Sequence, residues 1–358
     1  MKRRTSTVYA IFCTLLLVAG FVAVFFFAWK SGIPDVVKCL VGLVLGFILT
    51  PIYHELGHVI FAETAQMEWV YVKCFCLRFY CKNGKKRVGL ASPFAPDETQ
   101  VLPKKGGNMQ RRAAAYTLGG LIVSGTVLAV TVAAAVLVSV LAQPSYLLFG
   151  ILPYMGYSFL LNVAPADYPS GKTDTAVYRG LKRGEDAEKT MLAAMEIQGR
   201  LYEGNSFAEI DGNLYFDTPQ LCEDEPLFAV MLDLRYRYFL EKGDMDNAAA
   251  CLNRLAGVLD YMPYSAAEKV AAELVYMASL RGETSVAEEN AKLCQAFLKG
   301  ETVTAKRILA AWSQVNGQTE FVETLLSQAE ACLDGERIAG VKKFEQILLS
   351  RIEREKNG

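Results

Sequence analysis

Thirty consecutive residues, Ala113 to Ala142, carry no charged side chain. As a helix rising about 1.5 Å per residue they reach roughly 45 Å, more than the ~30 Å hydrocarbon thickness of a bilayer. The run is too long and too evenly uncharged for an ordinary soluble core, and it predicts a helix that crosses a membrane. Three more runs are apolar over a spanning length: Val8 to Trp29 and Tyr146 to Ala164, both uncharged, and Val36 to about Ala65, which admits Lys38, Glu55 and Glu63. The first follows Lys2, Arg3 and Arg4, as the apolar part of a secretion signal would. Such a signal has an apolar part of only about 7–15 residues and ends at small residues. This run ends in Phe25-Phe26-Phe27-Ala28-Trp29 and reads as a plain anchor. A chain with 52% hydrophobic and 21% charged residues agrees with membrane insertion.

From about Gly180 the texture becomes soluble and helical. Seven segments between Phe228 and Ile352 show apolar periodicity near 3.6, with Gly243, Gly282, Gly300, Gly317 and Gly335 between them. The intervals after Gly282 are 18, 17 and 18 residues. Two helices thus make a unit of about 35 residues, similar to tetratricopeptide-type helical hairpins, whose stacked concave faces suit a protein partner. Between the second and third spans, Trp69 to Tyr80 is aromatic and β-branched, and Asn83-Gly84 and Arg87 to Leu90 follow, which reads as a β-hairpin with a tight turn. The expected fold class is mainly α: a polytopic membrane protein with four transmembrane helices and a small β-hairpin insertion, followed by a soluble α-helical domain of helical-hairpin repeats. Its expected parts are an anchor over 1–32, a membrane core over 33–180 that includes the hairpin loop at 66–112, and the helical domain over 181–358.

Charge sets the expected orientation. The segment Gln66 to Arg112 holds ten basic residues against three acidic ones, and the amino terminus is basic as well. By the positive-inside rule both are cytoplasmic. Four spans then return the helical domain to the same side of a multi-pass cell-membrane protein embedded in the lipid bilayer. Topology accounts for the basic loop, so it makes no case for a nucleic-acid partner. The nine cysteines lack secreted-domain spacing and read as free thiols.

The second apolar run contains His54-Glu55-Leu56-Gly57-His58, and these are the two histidines of the whole chain. Residues four apart on a helix lie about 40° apart in azimuth, so both imidazoles can grip one ion while Glu55 points beside it. Two neutral imidazoles, an open position for water and a carboxylate to take the water's proton are what a zinc hydrolase requires. Ionisable groups inside a hydrophobic span are costly and mark function. His54 lies some 27 Å beyond Val36 at about 1.5 Å per residue, toward the far end of the span. Pro51, just upstream, invites a kink. Zinc needs a third protein ligand. Glu63 is five residues from His58 and nine from His54 and faces elsewhere on a continuous helix, which leaves Asp174 and Asp167 beyond the fourth span.

These residues resemble the site-2 protease family of intramembrane zinc metalloproteases, over roughly Val36 to Tyr178. His54, Glu55 and His58 match its His-Glu-x-x-His, Asn162 and Pro165 match its Asn-x-x-Pro, and Gly119-Gly120 resembles its glycine-containing central helix. The resemblance implies Zn2+ as cofactor, Glu55 as catalytic base, Asn162 against the substrate backbone or the oxyanion, and an aspartate from a later Asp-Gly as third ligand. The commonest family spacing falls on Ser170, before Gly171. Likeness to the longer linkers of some bacterial members favours Asp174, with Asp167 as the alternative, and Thr175 stands where the family has glycine.

The expected function is an intramembrane zinc endopeptidase that cleaves a transmembrane segment of a membrane protein or peptide near the cytoplasmic face. The extended substrate pairs with the hairpin edge near Val70 to Phe79. A catalytically inactive membrane scaffold that recruits partners through its helical domain is the alternative. A transporter is disfavoured, because one polar cluster is evident in the core and the membrane half shows no clear repeat.

Overall fold

The computed structural model describes residues 3–82, 85–168, 171–259 and 264–357. The chain divides into two compact units, Met1–Leu102 with Asn108–Glu188, and Pro103–Gly107 with Lys189–Gly358.

In the first unit four helices, α1 (Arg3–Ser31), α2 (Ile33–Thr64), α3 (Met109–Leu141) and α4 (Tyr146–Val163), are long and apolar enough to cross a membrane. Their outward faces leave large apolar side chains uncovered, among them Val8, Phe12 and Leu15 on α1 and Val130, Val136 and Val140 on α3. Exposing apolar surface to water costs about 25 cal/mol per Å2, a penalty that lipid removes. These helices mark the chain as a membrane protein.

α2 packs against α1, α3 and α4. It runs through Pro51 without a break in its helical span. Glycines allow its closest approaches. A Cβ on Gly42 would stand 2.2 Å from the Leu147 carbonyl oxygen of α4, and one on Gly57 would stand 2.5 Å from the Gly119 carbonyl oxygen of α3. Backbones this close require residues without side chains. The carboxyl end of α2 is closed by Arg112 of α3, whose guanidinium donates to the Ala65 and Gln66 carbonyls at 2.6 and 2.7 Å, a cation at the negative end of a helix.

The expected hairpin is instead a four-stranded sheet of β1 (Met67–Cys74), β2 (Leu77–Lys82), β3 (Lys85–Leu90) and β4 (Glu98–Pro103), in the order β3-β2-β1-β4. The stretch Trp69 to Tyr80 is two strands, because the chain reverses at Phe75, whose φ of 53° is left-handed, and Tyr71 then pairs with Tyr80. The Asn83-Gly84 turn lies outside the described residues, while the flanking strands pair Lys82 with Lys85. Val70 to Phe79 therefore occupies the two interior strands and offers no sheet edge, which corrects the substrate-pairing expectation. The occupant of the free side of β1 is β4, whose Glu98-Thr99-Gln100-Val101-Leu102-Pro103 is too polar to declare itself as a strand. Buried Lys73 of β1 ties down the approach to β4 by donating to the Ala95 carbonyl and, at 2.8 Å, to Asp97, which also accepts from the Phe75 amide.

After α4 the chain forms a two-stranded ribbon, β5 (Asp167–Tyr168) with β6 (Gly171–Lys172), and enters α5 (Asp174–Arg183). Thr173 caps α5 by accepting from the Ala176 amide at 3.3 Å. The same hydroxyl donates to the Ala164 carbonyl at 2.7 Å and accepts from the Ala166 amide at 3.1 Å. One buried threonine thus fixes where α5 begins relative to the end of α4.

The second unit is helical. Pro226–Lys242 packs on Met245–Ala256, Tyr264–Leu280 on Thr284–Leu293, and Val303–Val315 on Thr319–Leu333, so consecutive helices pair. One of the seven periodic segments, Ser285 to Leu298, reads as a single helix but is broken at Cys294 into Thr284–Leu293 and Gln295–Leu298. The core of this unit contains a fully buried Arg307, which donates at 2.7 Å to Glu345 and at 2.7 Å to Glu273 and lies 4.1 Å from the Tyr276 ring centroid. Removing the cation strands two buried carboxylates. Arg307→Ala is expected to destabilise this unit by about 3–5 kcal/mol, read from the urea midpoint of the helical signal of full-length protein in detergent; an unchanged midpoint would contradict the network's role.

Candidate metal centre

The site is built at the contact between α2 and α3. His54 and His58 stand one turn apart on α2 with their ring centroids 5.0 Å apart and the rings nearly perpendicular, at 84°. The Nε2 atom of His54 lies 3.3 Å from Asp174 Oδ2, and that of His58 lies 3.4 Å from the same oxygen. The ligand atoms of the three residues all lie within 4.8 Å of one another, a grouping able to hold a metal ion. Of the two carboxylates left open by the sequence, Asp174 joins the histidines. Asp167 is exposed in β5, where its amide donates to the Ser6 hydroxyl at 3.2 Å. Glu63 is exposed on α2. Asn162 is not in the metal group; its side-chain amide donates to the Ser158 carbonyl of its own helix at 3.2 Å. Ser170 lies outside the described residues.

The far sides of the two rings are held by α3. His58 Nδ1 lies 3.0 Å from the Tyr116 carbonyl oxygen. A carbonyl only accepts, so Nδ1 carries the proton and a neutral His58 presents the lone pair of Nε2 to the centre. His54 Nδ1 lies 3.0 Å from the buried Ser124 hydroxyl. Between these two partners sits Gly120, where a Cβ would come within 2.5 Å of His58 Nε2 and 2.9 Å of His54 Nε2. The absent side chain makes the room in which the ligand atoms converge.

The donor set fits a cation. Asp174 Oδ2 is buried with no hydrogen-bond partner and faces two imidazole nitrogens. With both rings in the tautomer that binds metal, the two Nε2 lone pairs and the Asp174 oxygen repel one another in a low-dielectric interior, and a divalent ion between them reverses the sign. Asp174 stands in the first turn of α5, a helix end that suits an anion.

Beside the centre, Glu55 is 4% exposed, and its Oε2 accepts a hydrogen bond from the Thr99 hydroxyl of β4 at 2.6 Å. The Tyr116 hydroxyl in turn donates to the Thr99 carbonyl. Sequence reasoning missed Tyr116, Ser124 and Thr99. The first two had a signal: Tyr116, Gly120 and Ser124 recur every four residues and so share one face of α3. Thr99 had none, since nothing in the sequence marks its strand.

Compared with models of known families, with curated proteins and with solved structures, the chain shows no match.

Asp174→Ala is expected to weaken metal binding by at least the roughly 10–100-fold that losing an outer-shell partner costs, and Gly120→Ala by a comparable factor. Asp167→Ala is expected to bind as the unmodified protein does. Chelator-competition titration of purified full-length protein checks all three, and equal losses at Asp167 and Asp174 would contradict the ligand set.

Proposed function

We propose that this chain is an intramembrane zinc endopeptidase of the site-2 protease type, which cleaves a transmembrane segment of a membrane protein or peptide near the cytoplasmic face. The observation that carries this reading is the convergence of His54, His58 and Asp174 beside a buried Glu55 on a helix apolar enough to span a membrane. Two imidazoles and a carboxylate are borderline-soft and hard donors in a ratio that zinc hydrolases use, with a coordination position left open.

When bound, zinc supplies Lewis acidity that eases deprotonation of water and polarises a carbonyl. The residues of the chain do the rest. His54 and His58 present Nε2 lone pairs whose direction is set by Ser124 and the Tyr116 carbonyl. Glu55 accepts the proton of the attacking water as its O–H bond breaks, and later delivers that proton to the nitrogen of the leaving amine. The apolar helices around the centre keep bulk water from competing. A peptide bond inside a helix is shielded by its own hydrogen bonds, so the substrate must be extended before attack. β4 is the sheet edge that reaches Glu55, and its free side is the place we assign to that extended segment. The basic loop at 66–112 orients this end of α2 toward the cytoplasm, together with the amino terminus and the helical unit.

Glu55→Gln keeps the size and shape of the side chain but cannot take a proton. It is expected to retain about one equivalent of zinc while cleavage of a co-reconstituted single-span reporter falls by roughly 10²–10⁴-fold. Undiminished cleavage by this variant would end the proposal, as would a metal-free unmodified protein.

A further inference from the structure

We propose that Thr99 is a positioning residue for the general base, and that Tyr116 couples it to the metal ligand His58. The inference rests on the reading of Glu55 as the base, and on a circuit of contacts that closes around the centre. Glu55 Oε2 accepts from the Thr99 hydroxyl at 2.6 Å. The Thr99 carbonyl accepts from the Tyr116 hydroxyl, and the Tyr116 carbonyl lies 3.0 Å from His58 Nδ1. His58 and Glu55 are themselves three residues apart on α2. One tyrosine thus holds a ligand with its backbone and the strand that orients the base with its side chain.

The chemistry explains why a hydroxyl stands there. Glu55 is 4% exposed, and among the described residues the hydrogen bond its carboxylate receives is the one from Thr99. A buried carboxylate without a donor carries a large desolvation cost and turns to find one. A lysine or arginine would satisfy it but would hold it as a carboxylate and weaken it as a base. A neutral hydroxyl on Oε2 leaves Oε1 free to take the water's proton, and it continues to donate to Oε2 after that proton has arrived. The Thr99 proton itself never transfers. The bond therefore fixes the rotamer of Glu55 through the whole cycle, from a strand that the membrane helices alone would not supply. It also gives the sheet a second role, because Thr99 is on an edge strand and the segment proposed to pair with the substrate is the one that aims the base.

The test compares Thr99→Val, which exchanges the hydroxyl for a methyl, with Thr99→Ala and Thr99→Ser in full-length protein. In metal-free, chelator-treated protein, the infrared carboxylate band that disappears in Glu55→Gln is expected to shift in the Val and Ala variants and to return to its original position in the Ser variant. With zinc restored, Val and Ala are expected to keep their metal and the KM for the single-span reporter, while kcat falls roughly tenfold to a hundredfold through misorientation of the base. Thr99→Ser is expected to restore most of kcat. An unmoved band with unchanged kcat in the Val and Ala variants would overturn the proposal and leave the endopeptidase reading standing. Parallel loss of metal and rate in both variants would overturn it too, since the hydroxyl would then be holding the fold. Failure of the endopeptidase reading looks different: the unmodified protein would not cleave, or Glu55→Gln would cleave as well as it does.

Discussion

The candidate metal centre depends on the backbone contact between α2 and α3. Gly57 and Gly119 bring the two helices so close that neither can carry a side chain at the crossing, with 2.5 and 2.6 Å between a built Cβ and the facing carbonyl. At that separation the next residue, Gly120, faces the imidazoles directly, and its neighbours one turn away on either side, Tyr116 and Ser124, reach the outer nitrogens of the two rings. A wider crossing would leave those nitrogens to find partners elsewhere, and the inner nitrogens would lose their common focus. The small residues are therefore part of the site's chemistry as well as its packing.

The convergence they permit is unfavourable by itself. With both imidazoles in their metal-binding tautomer, Asp174 Oδ2 is a buried acceptor set against two further acceptors, which a fold selected only for stability would avoid or fill with a donor. A cation offsets that repulsion, and the surrounding bonds keep the three groups from relaxing apart in its absence. Thr173 places the start of α5 against the end of α4 through three hydrogen bonds on one hydroxyl, and Asp174 follows it immediately. Glu55 is held in the same manner by a single hydroxyl from β4. His54, His58 and Glu55 all sit on α2, and each is aimed by a polar atom from a different element, α3 for the imidazoles and β4 for the carboxylate.

Much of this was legible in the sequence, for definite reasons. Apolar runs of spanning length have few alternative structures, so the four long helices follow from length and composition alone. The spacing of His54 and His58 fixes their common face because a helix fixes azimuth. What lay beyond reach depended on the path of loops. Asp167 and Asp174 are both plausible by spacing, and the choice is made by the β5–β6 ribbon and the Thr173 cap, which turn one carboxylate out and the other in. The reversal at Phe75 rests on a left-handed φ at a residue type that does not announce one. The strand β4 is short and polar, and its Thr99 acquires meaning only once Glu55 is beside it.

X-ray absorption at the zinc edge of the purified full-length protein tests the central claim most directly. The account predicts a shell of light atoms at about 2.0–2.2 Å, with the outer-shell scattering of two imidazoles and with loss of that two-imidazole pattern in His58→Ala. A sulfur shell at about 2.3 Å would contradict it, because it would place the metal on the cysteines and away from His54, His58 and Asp174.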